Sequence, residues 1–469
     1  RKRTMSEVEE PLNSEIEQPP LEAREDRLSS NGSTIAGVVF NFTNSIIGAG
    51  IIGLGGAIAS SGGLISIIAI LLFAFMTKLS LDLVIEMSIG SSYEDLGRRC
   101  YGTLGWSGVL ISKMMYSFGC LVAYIVVVKD NCGSALGHLI SVDVDDTLLT
   151  LSLCTFVMLP LCLLRDMTPL SILSLGSVAS MGVILAIVVG IFFYNPNDIR
   201  EMGGTVVDHW FLIKPGLLES LGTFVFSFVS QHTVHLSFES LKPELKTLDS
   251  WKCISSWSMG IASFVSLNVG IIVYMTFWDR TGSDLFLLYP ALPIIDVAKL
   301  LLCITMVLTF PFPFFTCRDM IIVAADYLVS GSDNGNDFQD HESLMEEPLL
   351  LSSQDEPNEA SETSSPEQLP SWLLSSRQLK TTLHIFVSVL IWGITITLAF
   401  VAPNLGDVLN LVGCATGTVL AFILPALFSF KIHGYNHKAM SLLIIGGLVG
   451  SLGTFFSTRK LLSDTLLDP

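Results

Sequence analysis

Two stretches of this chain place polar and helix-weakening residues inside apolar runs. The chemistry they offer is that of exposed backbone. The first, "NFTNSIIGAGIIGLGG" (41–56), carries five glycines, two asparagines, a threonine and a serine. The second, "FSFVSQHTVHLSFES" (226–240), sets Ser227, Ser230, Gln231, His232, Thr233 and His235 inside an apolar span. Glycine costs ~1 kcal/mol relative to alanine in a helix interior, and Gly48, Gly50, Gly53, Gly55 and Gly56 fall on all sides of a helix. A packing stripe would instead return every fourth residue. Unwound backbone at membrane depth is tolerated only where protein or a water-filled cavity shields it, so each stretch is expected to break a helix beside a cavity. At the first break, near Gly48, the N–H groups of Ala49, Gly50 and Ile51 would offer the positive end of a helix dipole to an anion. The carbonyls of Ile46 and Ile47, with those of Phe228 and Val229, would accept from a cation. The side chains of Ser227, Ser230 and Gln231 add polar contacts. His232 is a candidate proton carrier, as is Glu219 in the outer part of the same run, because ionisable groups within spans are functional candidates by default.

The elements that must position these groups are membrane helices. The chain has 469 residues, of which 50% are hydrophobic and only 14% charged, with a mean hydropathy of +0.61. A soluble globular chain carries about 25% charged residues, so the balance indicates a polytopic membrane protein embedded in a lipid bilayer. Eleven apolar segments are expected, at about 34–59, 63–87, 107–129, 147–164, 168–194, 216–240, 252–277, 292–316, 380–401, 404–430 and 439–457. Connections after the even-numbered segments hold eleven Lys and Arg against six on the other side, which places the N-terminus in the cytoplasm. The two interrupted segments are the first and the sixth. Five segments separate their beginnings, and an odd repeat length inverts topology. Paired interruptions of this kind mark discontinuous helices around a midplane substrate site in transporters.

The acidity lies outside this core. Residues 1–33 hold eight acids against five bases, and 331–376 hold eleven acids with no Lys or Arg. Together they account for most of the net charge of −18, and their Ser/Pro/Glu-rich composition is that of disordered segments. The expected organisation is a cytoplasmic tail over 1–33 and a membrane domain over 34–457, interrupted by the 331–376 loop. A short extracytoplasmic tail would follow over 458–469. Within the loop, "EEPLLL" (346–351) sets Glu346 before Leu350 and Leu351, an acidic dileucine pattern of the kind that sorting adaptors read. It tilts localisation toward a vacuolar, lysosomal or endosomal membrane, with the plasma membrane as the alternative. The nine cysteines are scattered, without a CxxC pair or a His/Cys cluster. No nucleophile–base pair stands out either, so an enzyme is not expected, nor a cofactor, nor a nucleic-acid partner.

At these residues the sequence resembles the amino acid/auxin permease family, closest to the branch of sodium-coupled neutral amino acid transporters and their vacuolar relatives. "FNFTNSIIGAGIIGLGGAIASSG" (40–62) is similar to the family's first-helix signature and "SFGCLVAYIVVVKD" (117–130) to its third helix. "FSFVSQHTVHLSFESLKPE" (226–244) resembles the sixth, "LTFPFPFFTCRD" (308–319) the eighth and "PNLGDVLNLVGCATGTVLAFILPALF" (403–428) the tenth. Five such motifs in order span nearly the whole membrane domain. The chain departs where relatives carry Pro and an aromatic after Leu54, since Gly55 and Gly56 stand there. A Cys-His pair of the sixth helix is replaced by Ser230-Gln231.

The resemblance implies an all-α membrane protein of eleven transmembrane helices, a 5+5 inverted repeat of the LeuT-like type with helices 1 and 6 broken and an eleventh helix added. It implies amino acid transport coupled to Na⁺ or H⁺. An amino acid brings a carboxylate and an ammonium group, which the two breaks would receive. Tyr124 would either close over the carboxylate or serve as a packing aromatic. No acid lies between Thr34 and Ser60, so a neutral substrate is expected. Asn44 and Thr309 match the family's sodium-linked positions. With Thr305 one turn earlier on the same face and the Ile47 carbonyl, they form a candidate Na⁺ site of hard oxygen ligands. The other reading has the hydroxyls bonded back to their own helix. The expected function is Na⁺-coupled symport of neutral amino acids by alternating access. H⁺-coupled vacuolar transport is the rival, and an amino acid sensor built on the same fold is the reading from another class.

Overall fold

The computed structural model describes residues 32–467 except 142–144, 164–169, 195–198, 200–209, 287 and 331–370. The tail expected over 1–33 and the loop over 331–376, including Glu346, Leu350 and Leu351, therefore lie almost wholly outside the described residues. At their edges the structure differs from expectation. Ser33 is held by backbone pairing to residues 240–242, a helix already begins at Ser371, and the last helix runs on to Leu467.

The regular elements among the described residues are helices, with one isolated bridge between Ser33 and Leu241. In chain order we label α1 Ile35–Ile46, α2 Ala49–Ser61, α3 Gly63–Ser88, α4 Tyr93–Ile140, α5 Asp146–Leu163 and α6 Leu170–Tyr194. The second half continues with α7 Leu217–Phe226, α8 Val234–Glu239, α9 Leu248–Phe277, α10 Pro293–Thr309 and α11 Pro311–Ser330. It closes with α12 Ser371–Val401, α13 Leu405–His433 and α14 His437–Leu467. Among the described residues nine helices, α10 and α11 counted as one, are long and apolar enough to cross a membrane, and the bent pair α1–α2 makes a tenth. Residues 217–239 are not among these, because their helical halves are only 10 and 6 residues long. Only a helix satisfies its own backbone in hydrocarbon, which explains why uniformly apolar runs such as 63–88 become unbroken helices.

Large apolar side chains point outward along these spans, among them Phe75, Phe156, Phe193, Phe264 and Phe386. Such a surface suits lipid rather than water. The centre is built by packing rather than by the broken helices alone. The helix α4 lies against α10 and α11, α9 lies across α1, α2 and α3, and α7 is lodged between α2 and α13. The third segment, expected over 107–129, is longer in the structure. Residues 93–101 form a capped helical arm, opened by the Ser92–Asp95 capping box and turned at Tyr101–Gly102 before the span proper.

Two faces of the bundle are distinguished below: the near face, where the chain enters α1, and the far face, where α2 ends. Asp82 on the near face accepts Lys78 Nζ at 2.7 Å, an i,i+4 pair, and also Ser255 Oγ at 2.6 Å.

Candidate functional site

Between α1 and α2 the chain bends by 52°. Ile47 leaves the helical region at φ −76°, ψ 83°, and Gly48 is extended at φ −124°, ψ −150°. The Ile47 N–H still closes onto the Thr43 carbonyl at 2.9 Å, and the Gly48 N–H reaches the Ile46 carbonyl at 3.0 Å. The N–H groups of Ala49 and Gly50 open α2 at the end where intrahelical acceptors are lacking. One expected donor is spent: the Ile51 N–H donates to the Gly48 carbonyl at 3.3 Å. Of the three N–H groups expected to meet an anion, the Ile51 N–H is thus engaged within the chain.

The second break runs from Ser227 to Thr233, between α7 and α8. It meets the first directly. A Cβ built on Gly50 would lie 2.6 Å from Ser227 Cα, so only a glycine permits this approach of two backbones. Ser45 Oγ and Thr233 Oγ1 add a hydrogen bond at 3.1 Å across the same seam. Tyr124 joins them, because a Cβ on Gly48 would lie 3.2 Å from its hydroxyl, and Thr309 on α10 neighbours the same hydroxyl. The groups expected from three separate parts of the sequence are therefore assembled at one depth.

Several candidates are already engaged, which revises their roles. Gln231 is no free ligand. Its Oε1 accepts the Ser230 N–H at 3.1 Å, and its Nε2 donates to Ser80 Oγ at 3.3 Å, which itself donates to the Ala421 carbonyl. Ser227 Oγ donates back to the Thr223 carbonyl at 2.8 Å. The Val229 carbonyl accepts the Tyr116 hydroxyl at 3.1 Å. Phe228 is fully buried. Ser230 Oγ and His232 Nδ1 are buried without a hydrogen-bond partner among the described residues. Thr305 Oγ1 donates to the Leu301 carbonyl at 2.8 Å, and Thr309 Oγ1 to the Thr305 carbonyl at 2.6 Å, so both hydroxyls are back-bonded yet keep lone pairs for a cation. Asn44 stands on α1 one turn before Gly48. Glu219 is removed from the site: it lies in the first turn of α7, eight residues or ~12 Å of helix before Ser227.

Sequence reasoning missed the partners that hold the second break open. Asn410 on α13 accepts both the Thr223 N–H and the Thr223 hydroxyl at 2.8 Å. Tyr116, Ser80 and Asn410 come from three helices, and no local spacing announces them. Asp296, in the first turn of α10, and Lys299 are both buried.

On the far face the loop 281–286 covers α2. A Cβ on Gly56 would lie 2.5 Å from the Gly282 carbonyl oxygen, and one on Gly406 2.9 Å from Ser283 Cβ. Asp284 anchors the loop, accepting Asn131 Nδ2 and the Phe286 N–H, each at 2.8 Å. Burial pushes its carboxyl above the usual range, opposed by the Phe286 N–H, Asn131 and Lys299, while Asp130 faces it as a second acid. The docked loop therefore binds a proton more tightly than an undocked, solvated loop does. Docking should strengthen as the far-face pH falls toward the ordinary carboxylate pKa of about 3.9 and weaken as pH rises through the raised value. A thiol introduced by Ser283→Cys should be labelled by a membrane-impermeant reagent faster at high pH, after correction for a model thiol. Asp284→Asn should flatten that dependence.

A family model described as "Transmembrane amino acid transporter protein" matches residues 31–456. The chain belongs to this family. As one of the transmembrane amino acid transporter proteins it carries amino acids across a membrane, is a multi-pass integral membrane protein and is not an enzyme. Relatives share the name "Putative sodium-coupled neutral amino acid transporter 11". The protein of Bos taurus is 26% identical over 458 residues, covering 93% of this chain and 87% of its own length. That of Danio rerio is 23% identical over 456 residues, covering 94% and 89%. Among solved structures, MHP1, a nucleobase-cation-symport-1 family transporter in a closed conformation with bromovinylhydantoin bound, superposes with a TM-score of 0.54. It covers 93% of this chain and 94% of its own at 9% identity, a likeness of fold alone. This transmembrane amino acid transporter protein thus has the LeuT-like fold.

Proposed function

We propose that the protein is a secondary active transporter that carries neutral amino acids in symport with Na⁺ by alternating access. The proposal includes eleven crossings, with segments 1–5 and 6–10 as inverted repeats and the near face in the cytoplasm. The observation that carries the reading is the junction of the two breaks at Gly50 and Ser227, with Tyr124 set between Gly48 and Thr309. The substrate carboxylate would take the N–H groups of Ala49 and Gly50, with Tyr124 closing over it. The ammonium would take carbonyls of Ile46, Ile47, Phe228 and Val229. Na⁺ would sit among Asn44, Thr305, Thr309 and the Ile47 carbonyl, next to the substrate, so that each favours the other's binding. The relatives' shared name, with its reference to sodium coupling, supports this choice of ion.

Purified protein in liposomes should accumulate labelled alanine or glutamine when an inward Na⁺ gradient is imposed. Asn44→Ala and Thr309→Ala should each raise the Na⁺ concentration for half-maximal uptake by about tenfold, the equivalent of ~1.4 kcal/mol. Binding without accumulation under either a Na⁺ or a pH gradient would leave a sensor, and not a transporter, as the reading. One observation favours H⁺ instead: His232 lies in the second break with Nδ1 buried and without a hydrogen-bond partner among the described residues. Uptake driven by a pH gradient alone, and lost in His232→Gln, would decide for the proton. Sorting to an endosomal or lysosomal membrane through Glu346, Leu350 and Leu351 is part of the same proposal.

A further inference from the structure

In a continuous helix the carbonyls of Phe226 and Val229 would receive the N–H groups of Ser230 and Thr233. Both amides are diverted here. Ser230 N–H goes to Gln231 Oε1 at 3.1 Å, and Thr233 N–H goes to the Ser230 carbonyl at 3.1 Å. The donor that replaces them comes from another helix. Tyr116, 2% exposed on α4, directs its hydroxyl at the Val229 carbonyl at 3.1 Å and the Phe226 carbonyl at 3.3 Å. Its ring is wedged between Phe226 and His232, with centroid distances of 5.3 Å and 5.2 Å. One hydroxyl proton is thus shared by the carbonyl of Phe226, which ends α7, and that of Val229 inside the break, and each carbonyl oxygen has two lone pairs. An unpaired carbonyl at this depth would be costly, so the pair is satisfied enough to stay unwound and keeps lone-pair capacity for a ligand with several donors.

We infer that Tyr116 is the positioning residue for the substrate's ammonium group, keeping the chain from resuming the helix after Val229 and the Phe226 and Val229 carbonyls aimed so that an α-ammonium completes their hydrogen bonding. The inference rests on the proposed placement of the ammonium at the second break. Without the phenol hydroxyl, the carbonyls regain partners by pulling the Ser230 and Thr233 amides back into a helix, and the ammonium loses its acceptors. Tyr116 touches the substrate only through that backbone.

The test compares uptake of the better-transported of alanine and glutamine with uptake of its N-methyl analogue, which has one N–H fewer. Wild-type protein in liposomes is expected to discriminate by tenfold or more in the ratio of maximal rate to KM. In Tyr116→Phe, matched for protein in the membrane, KM for the amino acid should rise about tenfold and the discrimination should shrink to within about threefold. A lost rate with unchanged discrimination would mean a structural role and overturn the inference, as would a wild type that does not discriminate. If Tyr116→Phe does not reach the membrane, Gln231→Leu reads the same carbonyls, because it frees the Ser230 amide to return to Phe226. Discrimination unchanged in that variant also overturns it. Failure of the wild type to accumulate any amino acid would defeat the transport reading instead, so the two failures are distinguishable.

Discussion

Gly50→Ala is expected to abolish transport while leaving a protein that reaches the membrane. The added methyl carbon would lie 2.6 Å from Ser227 Cα and 3.0 Å from its backbone nitrogen. Neither atom belongs to a side chain that can rotate away, so the two half-helices must separate. Overpacking of this kind costs ~1–3 kcal/mol, which a polytopic protein survives. The site does not, because the seam closed by Ser45 and Thr233 at 3.1 Å opens with it, and the backbone groups of both breaks no longer converge on one ligand. Labelled amino acid uptake should fall by at least about tenfold, equivalent to a loss of ~1.4 kcal/mol, with an unchanged elution profile in detergent. Gly393→Ala is the matched control. No atom lies within 4 Å of the methyl position there, and alanine is the better helix former by ~1 kcal/mol, so uptake should persist. Equal uptake by Gly50→Ala and wild type would remove the junction of the breaks from the site.

What the sequence could disclose was local. The breaks were legible because glycines on every side of a helix and six polar residues in one span both conflict with an ordinary membrane helix. The bend at Ile47–Gly48 lies where those residues placed it. What stayed hidden depends on partners remote in the chain. Gln231 looks like a ligand until Ser80, 151 positions away, is found at its amide. Thr223 looks like an ordinary helix residue until Asn410, 187 positions away, is found accepting both its N–H and its hydroxyl.

The Gly55–Gly56 pair shows how a departure from a family pattern acquires a cause. Relatives resembling this chain carry Pro and an aromatic there, and the sequence offered no reason for the change. In the structure a Cβ on Gly55 would lie 2.8 Å from Val273 Cγ1, and one on Gly56 2.5 Å from the Gly282 carbonyl oxygen. The glycines let α9 and the 281–286 loop close onto α2. Two close approaches thus depend on glycines six residues, or ~9 Å, apart on the same half-helix: Gly50 admits the second break and Gly56 admits the far-face loop.

The largest loss of stability is expected from separating Glu94 and Lys113. Their charged atoms lie 2.6 Å apart, and each side chain is only 12% exposed. Glu94 stands on the capped arm of α4 and Lys113 on the span beyond the Tyr101–Gly102 turn, so the pair fastens the arm to the membrane helix. The arm in turn supports the near half of the second break: Tyr93, next to Glu94, stacks on His235 at 6.0 Å, and His235 is hydrogen-bonded to Ser88 at 2.7 Å. Removing one member of a buried pair leaves the other charge uncompensated, a loss of ~3–5 kcal/mol, whereas replacing both by apolar or neutral groups of similar volume is often tolerated. Lys113→Met should therefore lower the thermal stability of the purified protein steeply and release the arm, exposing Cys100, now buried, to thiol reagents. The double variant Glu94→Gln/Lys113→Met should recover most of that stability. If the pair only decorates the near face, the single and double variants will melt alike, and Cys100 will stay protected in both. A stability regained in the double variant without regained transport would separate the two roles, because the arm would then be docked while the ion pair itself was needed for the near face to open and close.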